Sequence, residues 1–245
     1  MKNKNLFIIT SAICTTYGFS DSADERLLQT IHTIDSIRSK YDNVDIWIID
    51  ASVNGIKPYM INLLNAEIID MSSDEEVLNI FKTSQGSDET MGFIKNRTES
   101  YFTLKVLKER ADQIKAYERV YKISGRYFLS NKFNASDHLV KNKIVIKEKT
   151  RSLFKNPIPI TGSEFKHDCV IYSFCSSLIE DMINILDMIR KDIELSFLEY
   201  TKGNLRYCDM EHALYLHLPK EKVKYIQHVH VIGRIGGTEN KLYVG

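Results

Sequence analysis

The segment KISGRY, Lys122 to Tyr127, closes an apolar run with a serine, a glycine, a cation and a phenol. At a strand end, Ser124, Gly125, Arg126 and Tyr127 suit an oxyanion. Glycine admits close backbone approach, the guanidinium forks onto two phosphate oxygens, and the phenol stacks or donates. Asp50 and Ser52 follow the run VDIWIID, where a carboxylate either accepts hydrogen bonds from a ribose or base edge or caps the next turn. Thr10 and Ser11 stand at a comparable strand end. In IKNRTE, Lys95 and Arg97 form a cationic pair suited to a pyrophosphate beside helix-terminal amides, and Glu99 is placed to brace Lys95 or Arg126. In CDMEH, Asp209, Glu211 and His212 can take a proton from an attacking hydroxyl. Helical spacing sets Asp209 with His212 and turns Glu211 elsewhere. His228 and His230 alternate along a final strand as metal ligands, phosphate donors or ordinary sheet residues. Arg234 follows, and GRIGGTEN reads as a flexible turn suited to a lid.

Positioning these groups requires a sheet. NLFIIT (5–10) and VDIWIID (44–50) are short, continuous apolar runs, as in strands covered on both faces. Between them Ser22 and Glu25 form a capping box, opening a helix whose apolar residues Leu27, Leu28, Ile31, Ile34 and Ile37 recur at helical spacing. GIKPYMINLLN reads as a short helix, AEIIDM as a third strand and SSDEEVLNIFKTS as a capped helix. TESYFTLKVLKERADQIKAY reads as a long amphipathic helix and RVYKISGRYFLS as a fourth strand. Alternating strands and helices predict a three-layer α/β/α sandwich around a mostly parallel sheet, whose ligands sit outside the strands' carboxyl ends. The remaining chain yields a strand at KIVIKEKTRSLF, then CVIYSFC running into a long helix. DMEHALYLHL reads as a helix and KVKYIQHVHVIGRIGG as a closing strand. This half is expected to cover the sheet's carboxyl edge, the only proline-marked break being KNPIPITG at 155–162.

Composition excludes several alternatives. With 43% apolar and 27% charged residues in 245, the chain is an ordinary globular one, and its net charge of +1 gives no surplus for nucleic acid or anionic membrane. Cys14, Cys169, Cys175 and Cys208 lack zinc-site or disulfide-framework spacing and point to reduced thiols in a cytoplasm. The first apolar run is too short for a membrane span and lacks a cleavage site. The first turn carries neither G-x-G-x-x-G nor G-K-[ST], against a dinucleotide fold or a P-loop.

Several stretches, taken in order, resemble GT-A-type glycosyltransferases, especially small ones of bacterial surface-polysaccharide clusters and viruses. ITSAI with SADERLLQTIHTIDSIR is similar to their first strand and helix, and VDIWIIDAS to the strand whose acid reads base and ribose. KNRTESYFTLKVL resembles a K-S-x-G-E segment, from which Asn96 and Thr98 depart. VYKISGRYFLSNKF is similar to a K-[IL]-[ST]-G-R-Y segment, and DMEHALYLHL to the acidic helix below the acceptor. Together they cover most of the chain thinly.

The resemblance implies a single GT-A-like domain over 1–245, with a nucleotide-sugar-binding half at 1–133 and an acceptor-binding half at 134–245. It implies sugar transfer to an acceptor hydroxyl of a glycan, in surface glycan or polysaccharide synthesis, with UDP-type donors in view. Such enzymes commonly bind a divalent ion through D-x-D at the fourth strand's end. Here SGRY stands there, so Arg126 is expected to meet the diphosphate and no Mn²⁺ or Mg²⁺ is expected to be required. The resemblance favours an acid, Asp209 or Glu211, as base, with His212 second. Rival readings are a nucleotide-sugar-binding protein without catalysis and a transferase acting on modified DNA, which near-neutral charge disfavours. A nucleotidyltransferase ranks low, because the first turn lacks its basic residue.

Overall fold

The computed structural model describes residues 5–14, 22–84, 91–152, 163–204, 208–234 and 242–245. Its frame is a seven-stranded sheet made of β1 (Asn5–Ser11), β2 (Val44–Asp50), β3 (Glu67–Asp70), β4 (Arg119–Ser124), β6 (Ile144–Lys147), β9 (Ile171–Cys175) and β10 (Val223–Ile226). The strand order is β10-β6-β9-β4-β1-β2-β3. β9 alone runs antiparallel to its neighbours, so this is the expected mixed, mostly parallel sheet.

Both faces are covered because the strands are apolar on both. Phe7, Ile9, Ile46, Ile48, Tyr121 and Ile123 pack with α1 (Ala23–Arg38) and α2 (Pro58–Leu64). Leu6, Ile8, Trp47, Ile49 and Val120 pack beneath α3 (Glu75–Thr83), α4 (Met91–Glu109), α5 (Ala111–Ile114), α6 (Ile179–Thr201) and α7 (Met210–His217). The capping box at α1 is present in both directions: Ser22 Oγ accepts from Glu25 N at 3.2 Å, and Ser22 N donates to Glu25 Oε2 at 2.7 Å. The three layers are therefore α/β/α, with seven helices among the described residues. No described helix is long and apolar enough to cross a membrane.

Four elements depart from the sequence reading. The long helix α4 begins at Met91, well before Thr98, so Lys95 and Arg97 lie inside it. The fourth strand breaks after Ser124: residues 125–126 turn, and β5 (Tyr127–Leu129) leaves the main sheet to pair with β11 (Val231–Arg234), itself paired with β12 (Leu242–Val244). The closing strand is also two strands, β10 and β11, in different sheets. The chain bends between them at His230, whose φ of 50° is left-handed and breaks the alternation with His228. Finally, the second half does not only cover the sheet edge, because β6, β9 and β10 extend the sheet itself. A two-stranded ribbon of β7 (Thr150–Arg151) and β8 (Phe165–Lys166) lies beside α7. The proline-marked break and most of the Gly-rich turn lie outside the described residues.

Candidate active site

β1 is flanked by β2 on one side and β4 on the other, so the chain's direction across the sheet reverses between β1 and β4. A crevice outside the carboxyl ends of two such strands is where open α/β sheets bind ligands. Thr10 and Ser124 are register partners at its floor. Just beyond, Gly125 N donates to the Thr10 carbonyl at 2.9 Å, and the Thr30 hydroxyl approaches the Gly125 carbonyl at 3.3 Å. A Cβ at position 125 would stand 3.1 Å from Thr30 Oγ1 and 3.3 Å from Ile9 Cγ2, so a larger residue would push the turn outward. Gly233 closes from the other side: a Cβ there would overlap the Arg126 carbonyl and the Tyr127 ring. The backbone of Arg126 is thus clamped between α1 and β11, and its half-buried guanidinium makes no hydrogen bond or ion pair among the described residues.

Tyr127 is buried and meets Tyr243 edge-on at 5.5 Å. Burial raises its phenol's pKa, against the pull of Arg126 and Lys95.

Charges around the crevice pair off unevenly. Lys122, inward-facing on β4, holds Glu99 of α4 at 2.5 Å. Burial opposes both charges, but each partner wins: Glu99 stays below the usual carboxylate range and Lys122 above the usual amine range. Lys147 holds Asp168 at 3.0 Å, where the Tyr243 hydroxyl also donates at 3.0 Å. Lys166 holds Glu211. His212 Nδ1 lies 2.6 Å from Asp209. Lys95 and Arg126 are left with no carboxylate within ion-pair distance among the described residues. Lys95 is solvent-accessible, yet Glu99, Arg126 and Glu211 all act on it: burial lowers its pKa, and Glu99 together with the other acidic neighbours more than offsets this.

Glu211, ion-paired with Lys166, is also within electrostatic reach of Lys95. Burial raises its pKa, Lys166 opposes and Asp209 adds to the rise. Asp209 is already engaged, because it caps α7 by accepting from His212 N at 2.9 Å and from the buried imidazole. Burial raises the Asp209 pKa, but these bonds bring it below the ordinary value. His212 Nε2 meets Ser152 Oγ at 3.0 Å, so both ring nitrogens are occupied. Of the three acids and bases in CDMEH, Glu211 is the one that acts on Lys95.

Other expected ligands serve the frame. Asp50 is fully buried and accepts from Ile13 N at 3.0 Å on one carboxylate oxygen and from Ser52 N at 2.9 Å on the other. Both oxygens are thus engaged by backbone amides, and Asp50, with no exposed surface, fastens the β1 and β2 turns. The Ser52 hydroxyl also accepts from Cys14 N at 2.7 Å, in the same loop-holding role.

Arg97 lies two residues from Lys95 on α4 and therefore points to another face. It forks onto Glu194 of α6 at 2.9–3.0 Å, donates to Ser84 at 2.7 Å and lies over the Phe197 ring at 4.0 Å, so it cannot also serve a pyrophosphate. Arg234 is exposed at the end of β11. His230 shapes the bend with its backbone: its N donates to Gly245 O and its carbonyl accepts from Ser130 N, both at 2.9 Å. Among the described residues no three His, Cys, Asp or Glu side chains gather to hold a metal ion.

The sequence reading overlooked Lys122, Lys147, Lys166 and Asp168. Lys122 carried a signal, since a lysine inside the buried run VYKIS demands a buried acid. Lys166 and Asp168 carried none, because a two-residue strand has no period to read. No protein-family model and no curated protein matches the chain.

Proposed function

We propose that this chain is a glycosyltransferase that moves a sugar from a nucleotide-sugar donor to a hydroxyl of a glycan acceptor. The observation that carries this reading is the pair of cations Lys95 and Arg126 beside the switch-point crevice, neither in an ion pair among the described residues, with Glu211 within electrostatic reach of Lys95. A partly exposed edge with two cations free of ion pairs is matched by a diphosphate, and a carboxylate of raised pKa nearby is matched by a hydroxyl about to lose its proton. The likeness of VYKISGRYFLSNKF to glycosyltransferase segments supports the same assignment.

In a single displacement the acceptor oxygen bonds to the anomeric carbon as the bond from that carbon to the diphosphate breaks. The hydroxyl proton passes to Glu211, and the electron pair leaves with the diphosphate. Lys95 and Arg126 stabilise the charge that builds there, which is electrostatic catalysis by groups already in place. Those two charges act where a divalent ion otherwise would, so donor binding is expected to survive EDTA. Tyr127 supplies a ring edge beside the guanidinium.

A thermal-shift panel of UDP- and GDP-sugars, with EDTA or Mn²⁺, tests the reading, since ligands that bind only the folded state raise its melting temperature. The expected result is a shift retained in EDTA and lost in Arg126→Ala. A shift strictly dependent on Mn²⁺ overturns the role given to the two cations. Donor binding without transfer to any glycan leaves a binding protein in place of an enzyme.

A further inference from the structure

One helical turn beyond Glu211, Tyr215 lies on the same face of α7. It begins a row of rings along the carboxyl edge. Phe165 is 5.9 Å from Tyr215, Tyr215 is 5.4 Å from His167, and His167 stacks on Tyr225 at 5.5 Å. Phe165 and Tyr215 are half-buried, and Tyr225 is 40% exposed at the end of edge strand β10. His167 is buried behind them, its N donating to the Glu211 carbonyl at 3.1 Å and its Nδ1 3.1 Å from the Lys147 carbonyl. The row is thereby tied to the helix turn that carries Glu211. Lys149, exposed, holds its ammonium 4.2 Å from the Phe165 centroid and 5.6 Å from that of Tyr215. It has no carboxylate within ion-pair distance among the described residues, although Arg151 on the adjoining ribbon pairs with Glu164.

We infer that this row is an acceptor subsite for an acidic sugar. The pyranose face lies on Tyr215 and Tyr225, and its carboxylate meets Lys149. The inference rests on the transferase reading and adds the substrate class to it. A sugar ring offers a C–H face that packs on aromatic rings and hydroxyls that reach polar neighbours, as ring faces in contact with water permit. A neutral glycan leaves Lys149 unanswered, whereas a uronate supplies its counter-ion. Such an acceptor, lying across the rings, presents its next hydroxyl one helical turn away, at Glu211.

The test uses the whole chain and a hexuronic-acid oligosaccharide, compared with the same oligosaccharide after its carboxyl groups are reduced to alcohols. Binding is followed by saturation-transfer NMR and calorimetry without nucleotide. The acidic form is expected to bind about tenfold tighter than the reduced form, and Lys149→Ala to erase that difference. Tyr215→Leu is expected to weaken both forms, its melting curve reporting that the chain is folded. Equal affinity for the two forms, or a preference that Lys149→Ala leaves intact, overturns the assignment. Binding of neither form also overturns it. UDP-sugar shifts on the unaltered chain separate this outcome from failure of the transferase reading: donor binding with no acidic-glycan binding removes the subsite alone, and acidic-glycan binding with no donor binding removes the transferase alone.

Discussion

Lys95 and Arg97 differ by two positions and by everything that surrounds them. Lys95→Ala is expected to weaken donor binding about tenfold, the worth of one charge-assisted contact, and to leave urea stability within about 0.5 kcal/mol. Arg97→Ala, which strands Glu194 against α4, is expected to cost about 3 kcal/mol of stability in the same titration. Glu211 gives a pH signature. Its raised pKa means that the acid limb of transfer lies above the ordinary carboxylate range near 4.3, with activity rising as the proton leaves. Glu211→Gln is expected to remove that limb together with most of the rate, measured as kcat against pH. Residue types were legible in the sequence, but their directions were not. KISGRY announced its cation, whereas nothing in IKNRTE told which cation stays clear of an ion pair, because that depends on the helical phase set by where α4 begins.

At the scale of elements, the site is a junction held by close backbone contacts. Gly233 of β11 lies against the Arg126 carbonyl and the Tyr127 ring, so its absent Cβ sets how far β5 can swing. Gly233→Ala is expected to cost about 1–3 kcal/mol in melting experiments, as overpacking does, and to weaken UDP-sugar binding although residue 233 carries no binding group. An unchanged donor affinity would mean that the clamp is dispensable. Elements with an internal period were legible: α1 through its capping box and apolar stripe, β1 and β2 through continuous apolar runs. Short pieces were not. β5, β7 and β8 have two or three residues each and owe their conformation to partners far along the chain. The bend at His230 was hidden for a related reason, because alternation continues on paper through a residue whose φ of 50° ends it in space.

Across the whole molecule the two halves anticipated from sequence share one frame. One packed cluster runs from Leu6 and Ile8 of β1 through Val120 of β4 to Phe174 of β9 and Leu186 of α6. Separating residues 1–133 from 134–245 would expose β4 along the edge now paired with β9 and strip α6 from α4. A fragment of residues 1–133 is therefore expected to lack a cooperative melting transition by circular dichroism, while the intact chain shows one. A sharp transition in the fragment would establish an independent nucleotide half. The overall sandwich was legible from alternation of strands and helices. The insertion of the later strands was not, since periodicity reports what a segment is and not which neighbour it takes.

The antiparallel strand β9 also bears on the order in which the protein can be made. β6 leaves the ribosome before β9, yet it reaches the rest of the sheet only through β9, and its other neighbour, β10, comes later still. During synthesis the apolar strand Ile144–Lys147 therefore waits with both edges open, the condition under which strands pair wrongly with other chains. Glu211 emerges later than β9, so the nascent chain holds Lys95 and Arg126 before it acquires the acid within electrostatic reach of Lys95.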